Sequence, residues 1–344
     1  MKKYLFIPFL ALATTVGFAQ TSNTPYMTKP LSNEAIKEVE AKTQGGNISV
    51  TGGNNSDARI EVYITPNGNE GSLSKDEIKK RLDENYEMNI SASGGKLKAI
   101  TKAKERDMNW KRALNVSYRI YVPQSVSTDL STSGGNIKLL NLSGTQDFRT
   151  SGGNLSVDKI SGKITGETSG GNIVVSGSKD NIDLETSGGN VEASDCSGKI
   201  SLKTSGGSLT LKNLNGTVTA TTSGGSVKGE SVIGELSAHT SGGNVNLQEM
   251  SCSIDASTSG GNIDVAVKEP SQFVKLHNSG GNIDLEIPKG KGYDLKLFGD
   301  KIKTETLANF SGSMEEKSLT GKLNGGGIPI HVDAGSGRVS LSFR

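Results

Sequence analysis

The feature that most constrains this chain is an 18-residue unit that repeats through its middle. Ser-Gly-Gly recurs every 18 residues from Ser133 to Ser259, and once more 20 residues later at Ser279. A fixed period of this kind is typical of proteins whose units stack along one axis. A unit of 18 residues cannot bury its own apolar face, so we expect each unit to pack on its neighbours.

The apolar residues within the unit indicate strands. With Thr132 as position 1, apolar side chains favour positions 6, 8, 11, 15 and 17. A spacing of two within the pairs 6/8 and 15/17 is strand alternation and not a helical period. We therefore predict two short strands per unit. One turn is the Ser-Gly-Gly corner and the other lies near position 13, where glycine is frequent and supplies a positive φ.

These patterns predict an all-β fold, a narrow single-chain β-solenoid of 18-residue two-strand coils. Nine coils at the usual strand spacing make a rod on the order of 40 Å long. The predicted domains are a β-rich N-terminal cap at 33–130, solenoid repeats at 131–290, and irregular C-terminal coils or a cap at 291–344. A capping-box pattern from Ser74 to Glu77 predicts one short helix in the first cap, at about Lys75 to Asn85. In the C-terminal region, the polar stretch Glu315 to Thr320 is expected to interrupt the strands.

Residues 1–19 have the pattern of a signal peptide, with Lys2 and Lys3 before an apolar stretch. We expect export to the periplasm, the cell surface or the extracellular space, and no other segment is long and apolar enough to span a membrane. Without the two leader lysines, basic and acidic residues are equal in number at 36 each. This balance argues against nucleic acid as a partner.

One column of the repeat predicts a structural ladder. At position 5, equivalent asparagines of successive coils would stack, and their amides would hydrogen-bond along the rod. The ladder residues are Asn136, Asn154, Asn172, Asn190, Asn244, Asn262 and Asn282.

Candidate binding residues are few. Asp264 and Asp284 share position 7 on adjacent coils, where two carboxylates would suit calcium or a sugar, although this column is mixed and a solvated face is the simpler interpretation. Trp110, in a charged loop, would present an aromatic ring to a partner or pack over the cap. Cys196 and Cys252 lie three coils apart, too far for a disulfide. The sequence predicts no catalytic, cofactor-binding or metal-binding residues.

A family resemblance follows from three segments. Gly46-Asn47-Ile48-Ser49-Val50-Thr51-Gly52 and Tyr118-Arg119-Ile120-Tyr121-Val122-Pro123 precede the series of Thr-Ser-Gly-Gly-Asn-Ile coils. Together they resemble the bacterial "putative adhesin" family, a domain of unknown function built from Gly-rich β-strand repeats. The resemblance extends from about Glu38 to the C-terminus. It implies a β-repeat fold, and it brings no catalytic residues.

These observations favour an exported, non-enzymatic, adhesin-like binding module whose partner is a protein or glycan surface. The alternatives are a structural envelope scaffold or self-associating rod and, less favoured, a carbohydrate-active β-helix enzyme. We expect no cofactor, and a monomer or weak self-association.

Overall fold

The computed structural model describes residues 24–68, 73–104 and 112–344, so the predicted signal peptide and Trp110 lie outside the described residues. The N-terminal region contains β1 (Met27–Pro30), β2 (Glu38–Lys42), β3 (Ile48–Gly53), a 3-10 helix (Asn55–Asp57), β4 (Arg59–Pro66), α1 (Lys75–Asn85), β5 (Tyr86–Ser93), β6 (Lys96–Ala103) and β7 (Leu114–Pro123).

The strands of the repeats are β8 (Ser127–Thr132), β9 (Ile137–Leu140), β10 (Ser143–Thr150), β11 (Leu155–Asp158), β12 (Ser161–Thr168), β13 (Ile173–Ser176), β14 (Lys179–Thr186), β15 (Val191–Ser194), β16 (Ser197–Thr204), β17 (Leu209–Lys212), β18 (Asn215–Thr222), β19 (Val227–Glu230), β20 (Ile233–Thr240), β21 (Val245–Thr258), β22 (Ile263–Val267), β23 (Val274–Asn278) and β24 (Ile283–Ile287). The C-terminal strands are β25 (Tyr293–Phe298), β26 (Lys301–Thr304), β27 (Phe310–Met314), β28 (Ser318–Leu323), β29 (Ile328–Asp333) and β30 (Arg338–Phe343).

The repeat folds as the predicted β-solenoid. The strand residues of a regular coil pair in parallel with their equivalents 18 positions later, as Leu155 does with Ile173 and Ile164 with Ile182. The odd-numbered strands from β9 to β19 have four residues each and form a short-strand face. The even-numbered strands from β10 to β20 have eight residues each and form a long-strand face. β21 runs from the first face into the second, so hydrogen bonds connect the strands into one open sheet.

The core lies between the two faces and follows the predicted apolar columns. Position 6 is buried in every coil, from Ile137 to Ile283. The exception at position 15, Gln146, is also fully buried, because its amide donates to the Val126 carbonyl and accepts from the Thr128 hydroxyl, each at 2.8 Å. A buried polar side chain is tolerated when its hydrogen bonds are made.

The corners differ from the prediction in position and in cause. The chain turns at position 10, where left-handed residues have φ between 53° and 58°; they are Asn141, Lys159, Gly177, Asp195, Asn213, Ser231 and Glu249. The glycines at position 13 do have positive φ, but they lie inside the long strands. None of the Ser-Gly-Gly glycines from 134 to 281, all within the described residues, has a positive φ.

A close approach between coils explains the second glycine of each Ser-Gly-Gly corner. A Cβ added to Gly171 would lie 1.9 Å from the carbonyl oxygen of Gly153, one coil earlier. A Cβ on the first glycine, Gly170, would meet nothing nearer than 3.7 Å. The second position therefore excludes every side chain, and the first does not.

At both ends of the rod, the coils do not stack in the order in which they occur in the sequence. The coil of β2 and β3 lies between the coil of β6 and β7 and the coil of β8 and β9. At the other end, β29 and β30 lie between β23 and β24 on one side and β25 and β26 on the other. The coil of β2 and β3, first in the sequence, and the coil of β29 and β30, last in the sequence, are thus each hydrogen-bonded to a coil on both sides. Antiparallel strands then follow, with β4 and β5 at one end and β28 and β27 at the other.

The N-terminal helix has the predicted limits. Ser74 caps α1, since its hydroxyl accepts a hydrogen bond from the Glu77 backbone N–H at 3.2 Å. Ile78 and Leu82, four residues apart on one face of the helix, are buried, and α1 contacts β5. The predicted interruption at Glu315 to Thr320 is wrong in part: β28 begins at Ser318 and pairs with both β25 and β27. The domain limits at 130/131 and 290/291 stay predictions.

Candidate binding site

The asparagine column forms a ladder of hydrogen bonds between side-chain oxygens and backbone N–H groups. In each step the side-chain oxygen accepts a hydrogen bond from the backbone N–H of the equivalent residue in the next coil. Asn136 accepts from Asn154 at 2.7 Å and Asn154 accepts from Asn172 at 2.8 Å. Ser208 and Ser226 continue the series through their hydroxyls where asparagine is missing. The bonds therefore differ from the amide-to-amide pattern that stacking predicts.

This arrangement fixes the direction of every amide in the ladder. A backbone N–H only donates, so the oxygen of each asparagine must face it and the NH₂ group must face away. Most of these side chains are exposed, Asn154, Asn172 and Asn190 among them. The corner before the short strands consequently carries exposed amides at intervals of roughly 4.8 Å, interrupted at Ser208 and Ser226.

The threonine column, at position 1, is on the inside of the same corner. The Thr186 hydroxyl donates to the Gly171 carbonyl at 2.8 Å and accepts from the Gly189 N–H at 3.2 Å. The same pair of bonds recurs at Thr150, Thr168, Thr204, Thr222, Thr240 and Thr258. In the last coil Asn278 replaces threonine and bonds the same two groups of Gly261 and Gly281. These residues hold the corner and are not available to a ligand.

The row of amides ends at a cleft at the N-terminal end of the rod. Asn136 donates its backbone N–H to the Asn47 side chain at 2.8 Å, and Asn47 donates to the Ser117 hydroxyl at 3.0 Å. There the short-strand face opens into a cavity of about 330 Å³. We call it the tyrosine–arginine cleft; its side chains are Asn47, Ser49, Tyr63, Ser117, Arg119, Tyr121, Asn136 and Lys138.

Strand order creates this cleft. β3 lies between β7 and β9, so Ser49 pairs with Arg119 on one side and Lys138 on the other. A short side chain between two long ones leaves a trench above the middle strand. β4 then pairs antiparallel with β7 and brings Tyr63 opposite Ser117. The alternation of polar and aromatic residues along the predicted strands around Tyr63 and Arg119 is a signal for this face, but the sequence does not give the pairing of the strands.

The charged side chains on β4 and β7 interact with one another and with the tyrosines of the cleft. The Glu61 carboxylate accepts from Arg59 at 2.7 Å and from the Tyr63 hydroxyl at 2.9 Å. Burial, followed by the hydrogen bond to Glu61, raises the pKa of Tyr63. The Arg119 guanidinium lies 4.3 Å from the centre of the Tyr63 ring and donates a hydrogen bond to the Tyr63 hydroxyl at 3.4 Å. The cleft therefore combines aromatic rings, charged groups that contact them, and hydroxyl and amide groups.

The predicted aspartate pair is placed as expected, on adjacent strands. Asp264 pairs with Asp284 in the register of β22 and β24. Arg338 forms an ion pair with Asp284 at 3.2 Å, and Gln248 donates to Asp264 at 3.3 Å. Each carboxylate thus already has a donor, and the Arg338 guanidinium offsets the negative charge of Asp284. A role for the pair in binding stays a prediction, as does one for Trp110.

The two cysteines are separated, as their positions in the coils predict, and two of the histidines are also far apart. Cys196 and Cys252 are free and buried. Ser257 pairs with His239 on one side and His277 on the other, so the two histidines lie two coils apart. Across the described ranges, no three His, Cys, Asp or Glu side chains are grouped to hold a metal ion.

A second depression, of about 430 Å³, follows the Ser-Gly-Gly corners on the long-strand side. Exposed serines line it, together with Arg149, Glu167 and Glu185. Arg149 pairs with Asp147 of its own strand at 3.1 Å. The mixed charges and the absence of aromatic side chains from its lining make this depression a weaker candidate than the tyrosine–arginine cleft.

No helix within the described parts of the chain has the length and apolar character to cross a membrane. No curated protein matches the chain in sequence. Among solved structures, a "putative cell adhesion protein" from Clostridium sporogenes ATCC 15579 is 10% identical, with 92% of this chain and 98% of that chain covered and a TM-score of 0.21. A "putative adhesin" from Bacteroides fragilis NCTC 9343 is 14% identical, with 94% and 99% covered and a TM-score of 0.31.

The family comparison concerns the second half of the molecule. The segment that matches a family model begins at the end of β13 and ends within β30. It therefore contains regular coils of the repeat as well as the coil of β29 and β30. Residues 176–342, just under half of the chain, match the model of the family described as Toastrack DUF4097, and the predicted resemblance to a β-repeat domain of unknown function is thereby confirmed.

Proposed function

We propose that this chain is an exported, non-enzymatic binding rod of the cell envelope or cell surface, which holds a partner protein or glycan in an adhesin-like role. The observation that carries the proposal is the column of exposed polar side chains at position 5, amides in most coils and hydroxyls at Ser208 and Ser226, which ends in the tyrosine–arginine cleft. A long polar surface of one chemical character is suited to an extended partner.

The stack is well suited to display such a surface. Each coil is tied to the next by backbone pairing, by the asparagine ladder and by the threonine bonds. Side chains held on rigid strands lose little further freedom when a ligand binds, which lowers the entropic cost of association.

A structural scaffold or self-associating rod is the second candidate function. Among the residues that the structure describes, β27 pairs with β28 alone, and Met314 on it is 59% exposed. A strand with a free edge can pair with another chain. Sedimentation of the purified chain tests this: dimers that form with rising concentration and disappear in Met314→Lys would support self-association, and a monomer at every concentration would contradict it.

Location and binding test the proposed function together. Intact cells that express the full chain are treated with protease and blotted for this protein and for a periplasmic control. We expect loss of the protein while the control survives, and binding of the purified chain to cell-surface material. Protection from protease until the envelope is opened would exclude adhesion and leave a periplasmic binding role. A purified chain that binds no cells, polysaccharide or protein would overturn the proposal.

A further inference from the structure

We infer that β27 is an interface between two copies of this chain, which pair antiparallel across a two-fold axis at Gly312 and join their rods tail to tail. This inference rests on the proposed self-association and assigns it a strand, a partner and a register. It depends on the unprotected edge of β27, the direction of its backbone groups and the order of its side chains.

β27 is the least protected of the sheet edges. Among the described residues, β1, β5, β26 and β27 each pair with a single strand. Natural sheets block such edges with charged residues or proline. β1 contains Lys29 and Pro30, and β26 has the sequence Lys-Ile-Lys-Thr. β5 contains Glu87, and the Lys29 ammonium donates to its Ile90 carbonyl at 3.5 Å. β27 has the sequence Phe-Ser-Gly-Ser-Met, with neither a charge nor a proline, and is therefore open to another strand.

The backbone groups that point away from β28 are those of the even-numbered residues of β27. Just beyond the two ends of β27, Asn309 and Glu315 are each joined by a backbone hydrogen bond to the residue opposite, at 3.0 and 2.8 Å. Hydrogen-bonded and non-hydrogen-bonded pairs alternate along an antiparallel ladder, so the odd-numbered residues between them also bond to the opposite strand. The N–H and C=O groups of Phe310, Gly312 and Met314 consequently point to the free edge.

The order of side chains selects a second β27 as the partner. Phe310 and Met314 lie opposite buried leucines of β28, so both face the core side of the sheet, and Ser311 and Ser313 face outward. With the axis at Gly312, each Phe310 ring meets the exposed Met314 of the other copy, and each Ser311 hydroxyl meets a Ser313 hydroxyl. Sulfur–aromatic contacts and cross-strand hydroxyl pairs are both favourable. The strand thus matches its own reverse, as an isologous interface requires.

Other registers satisfy the strand less well. Facing residues must lie on the same side of the sheet, so the pairing can shift only to place Ser311 opposite Ser311 or Ser313 opposite Ser313. Either shift leaves one end of β27 unpaired and separates Phe310 from Met314. The register with Gly312 at the axis is therefore the one that pairs the whole strand.

The interface is small and without charge repulsion. No charged side chain lies on β27, so the paired strands bring no like charges together. Each copy contributes one phenylalanine and one methionine, which bury well under the roughly 1,200 Å² of a standard complex. We expect a weak dimer, with a dissociation constant in the micromolar range or above. Because β27 lies at the C-terminal end of the rod, the dimer would carry the tyrosine–arginine cleft at both far ends.

Cysteine variants of the full chain test the register. Ser311→Cys and Ser313→Cys are made separately, mixed, oxidised with diamide and separated by non-reducing electrophoresis. The inferred pairing is non-hydrogen-bonded at these residues, with Cα atoms about 4.5 Å apart, a distance that allows a disulfide. We expect linked dimers in the mixture and in neither variant alone. The native Cys196 and Cys252 are buried, so the unchanged chain should not be linked.

A second change tests the side-chain contacts. Met314→Glu, added to both cysteine variants, places a carboxylate against the face of each Phe310 ring and should lower the yield of linked dimer about tenfold. Ile233→Glu is the matched control, because Ile233 is 54% exposed and lies on β20, away from β27. It should leave the yield unchanged. Circular dichroism verifies that each variant is folded.

The outcomes separate the inference from the self-association on which it rests. Linked dimers from either cysteine variant alone, or equal yields with Met314→Glu and Ile233→Glu, would overturn the inferred interface. No linked dimer in the mixture, while the unchanged chain still sediments as a dimer, would also overturn it and leave self-association intact. A chain that stays monomeric at every concentration and is never linked would remove both.

Discussion

The Thr186 hydroxyl donates a hydrogen bond of 2.8 Å to the carbonyl oxygen of Gly171, fifteen residues earlier and on the preceding coil. Thr186 is 1% exposed, so this bond is made out of contact with water. The same hydroxyl accepts the Gly189 N–H of its own corner. One oxygen atom thus links the corners of two coils, which explains why position 1 is threonine in coil after coil.

Replacing Thr186 by valine tests this role. Valine keeps the shape of the side chain and leaves both the Gly171 carbonyl and the Gly189 N–H without a partner. We expect the free energy of unfolding to fall by about 2–3 kcal/mol, since an unsatisfied buried polar group costs about 1–3 kcal/mol. Urea unfolding measures the change. Thr186→Ser is the control: it keeps both bonds and should cost about 1 kcal/mol for the lost methyl group. A valine variant as stable as the serine variant would contradict the assignment.

The two glycines of one corner should respond differently to the same change. In Gly171→Ala the new Cβ would lie 1.9 Å from the Gly153 oxygen, so the coils must separate there. We expect a loss of about 3 kcal/mol, at the upper end for overpacking, or failure to fold. Gly170→Ala has room and an ordinary φ, and should change stability by less than about 1 kcal/mol in either direction. Thermal unfolding of the pair gives the comparison, and equal losses would contradict it.

The sequence predicts the coils well because their chemistry repeats. Positions 6 and 15 alternate with polar neighbours in nearly every unit, and even the exception Gln146 is buried. The order of coils at the ends could not be predicted, because any coil of this pattern can stack on any other. The insertion of β3 between β7 and β9 is what juxtaposes Arg119, Ser49 and Lys138. The sequence therefore predicts the strands that form the candidate site, but it does not predict that these strands are neighbours.

The turn at position 10 could not be predicted for a similar physical reason. Position 10 holds Lys159 and Glu249 as well as asparagine, aspartate and glycine, all at φ near +55°. Lysine and glutamate are not turn residues, so the column has no common turn chemistry. The neighbouring coils fix the backbone there, and the strain of a left-handed residue is offset by packing elsewhere in the coil.

That strain predicts opposite effects at equivalent positions. Gly177 has φ +56° and Lys159, one coil earlier, has φ +54°. Gly177→Ala should destabilise by about 1 kcal/mol, the cost of a left-handed residue with a Cβ. Lys159→Gly should relieve the same strain and raise stability, by less than about 1 kcal/mol because glycine also gains freedom in the unfolded chain. The urea concentrations at the midpoints of unfolding of the two variants test whether their stabilities change in opposite directions. Shifts in the same direction would mean that side-chain contacts, and not φ, control this corner.

The buried titratable groups predict alkaline instability. Burial raises the pKa of the Cys252 thiol to about 12, and burial also raises the pKa values of Tyr118 and Tyr293 to about 12. Their ordinary values are about 8.5 for cysteine and about 10 for tyrosine. The folded chain therefore holds these protons more tightly than the unfolded chain. Their contribution is fully present below the ordinary pKa values and is lost as pH rises towards 12.

We expect the free energy of unfolding to fall between about pH 8.5 and pH 12, by up to about 1.4 kcal/mol per pH unit for each group. Between pH 8.5 and pH 10 the slope comes mainly from the cysteines, since burial raises the pKa of Cys196 as well. Cys252→Ala should flatten this part of the curve, whereas Tyr118→Phe should flatten only the part above pH 10. Urea unfolding across the pH series measures both slopes. A slope below pH 10 that Cys252→Ala leaves unchanged would show that the buried thiol does not govern it.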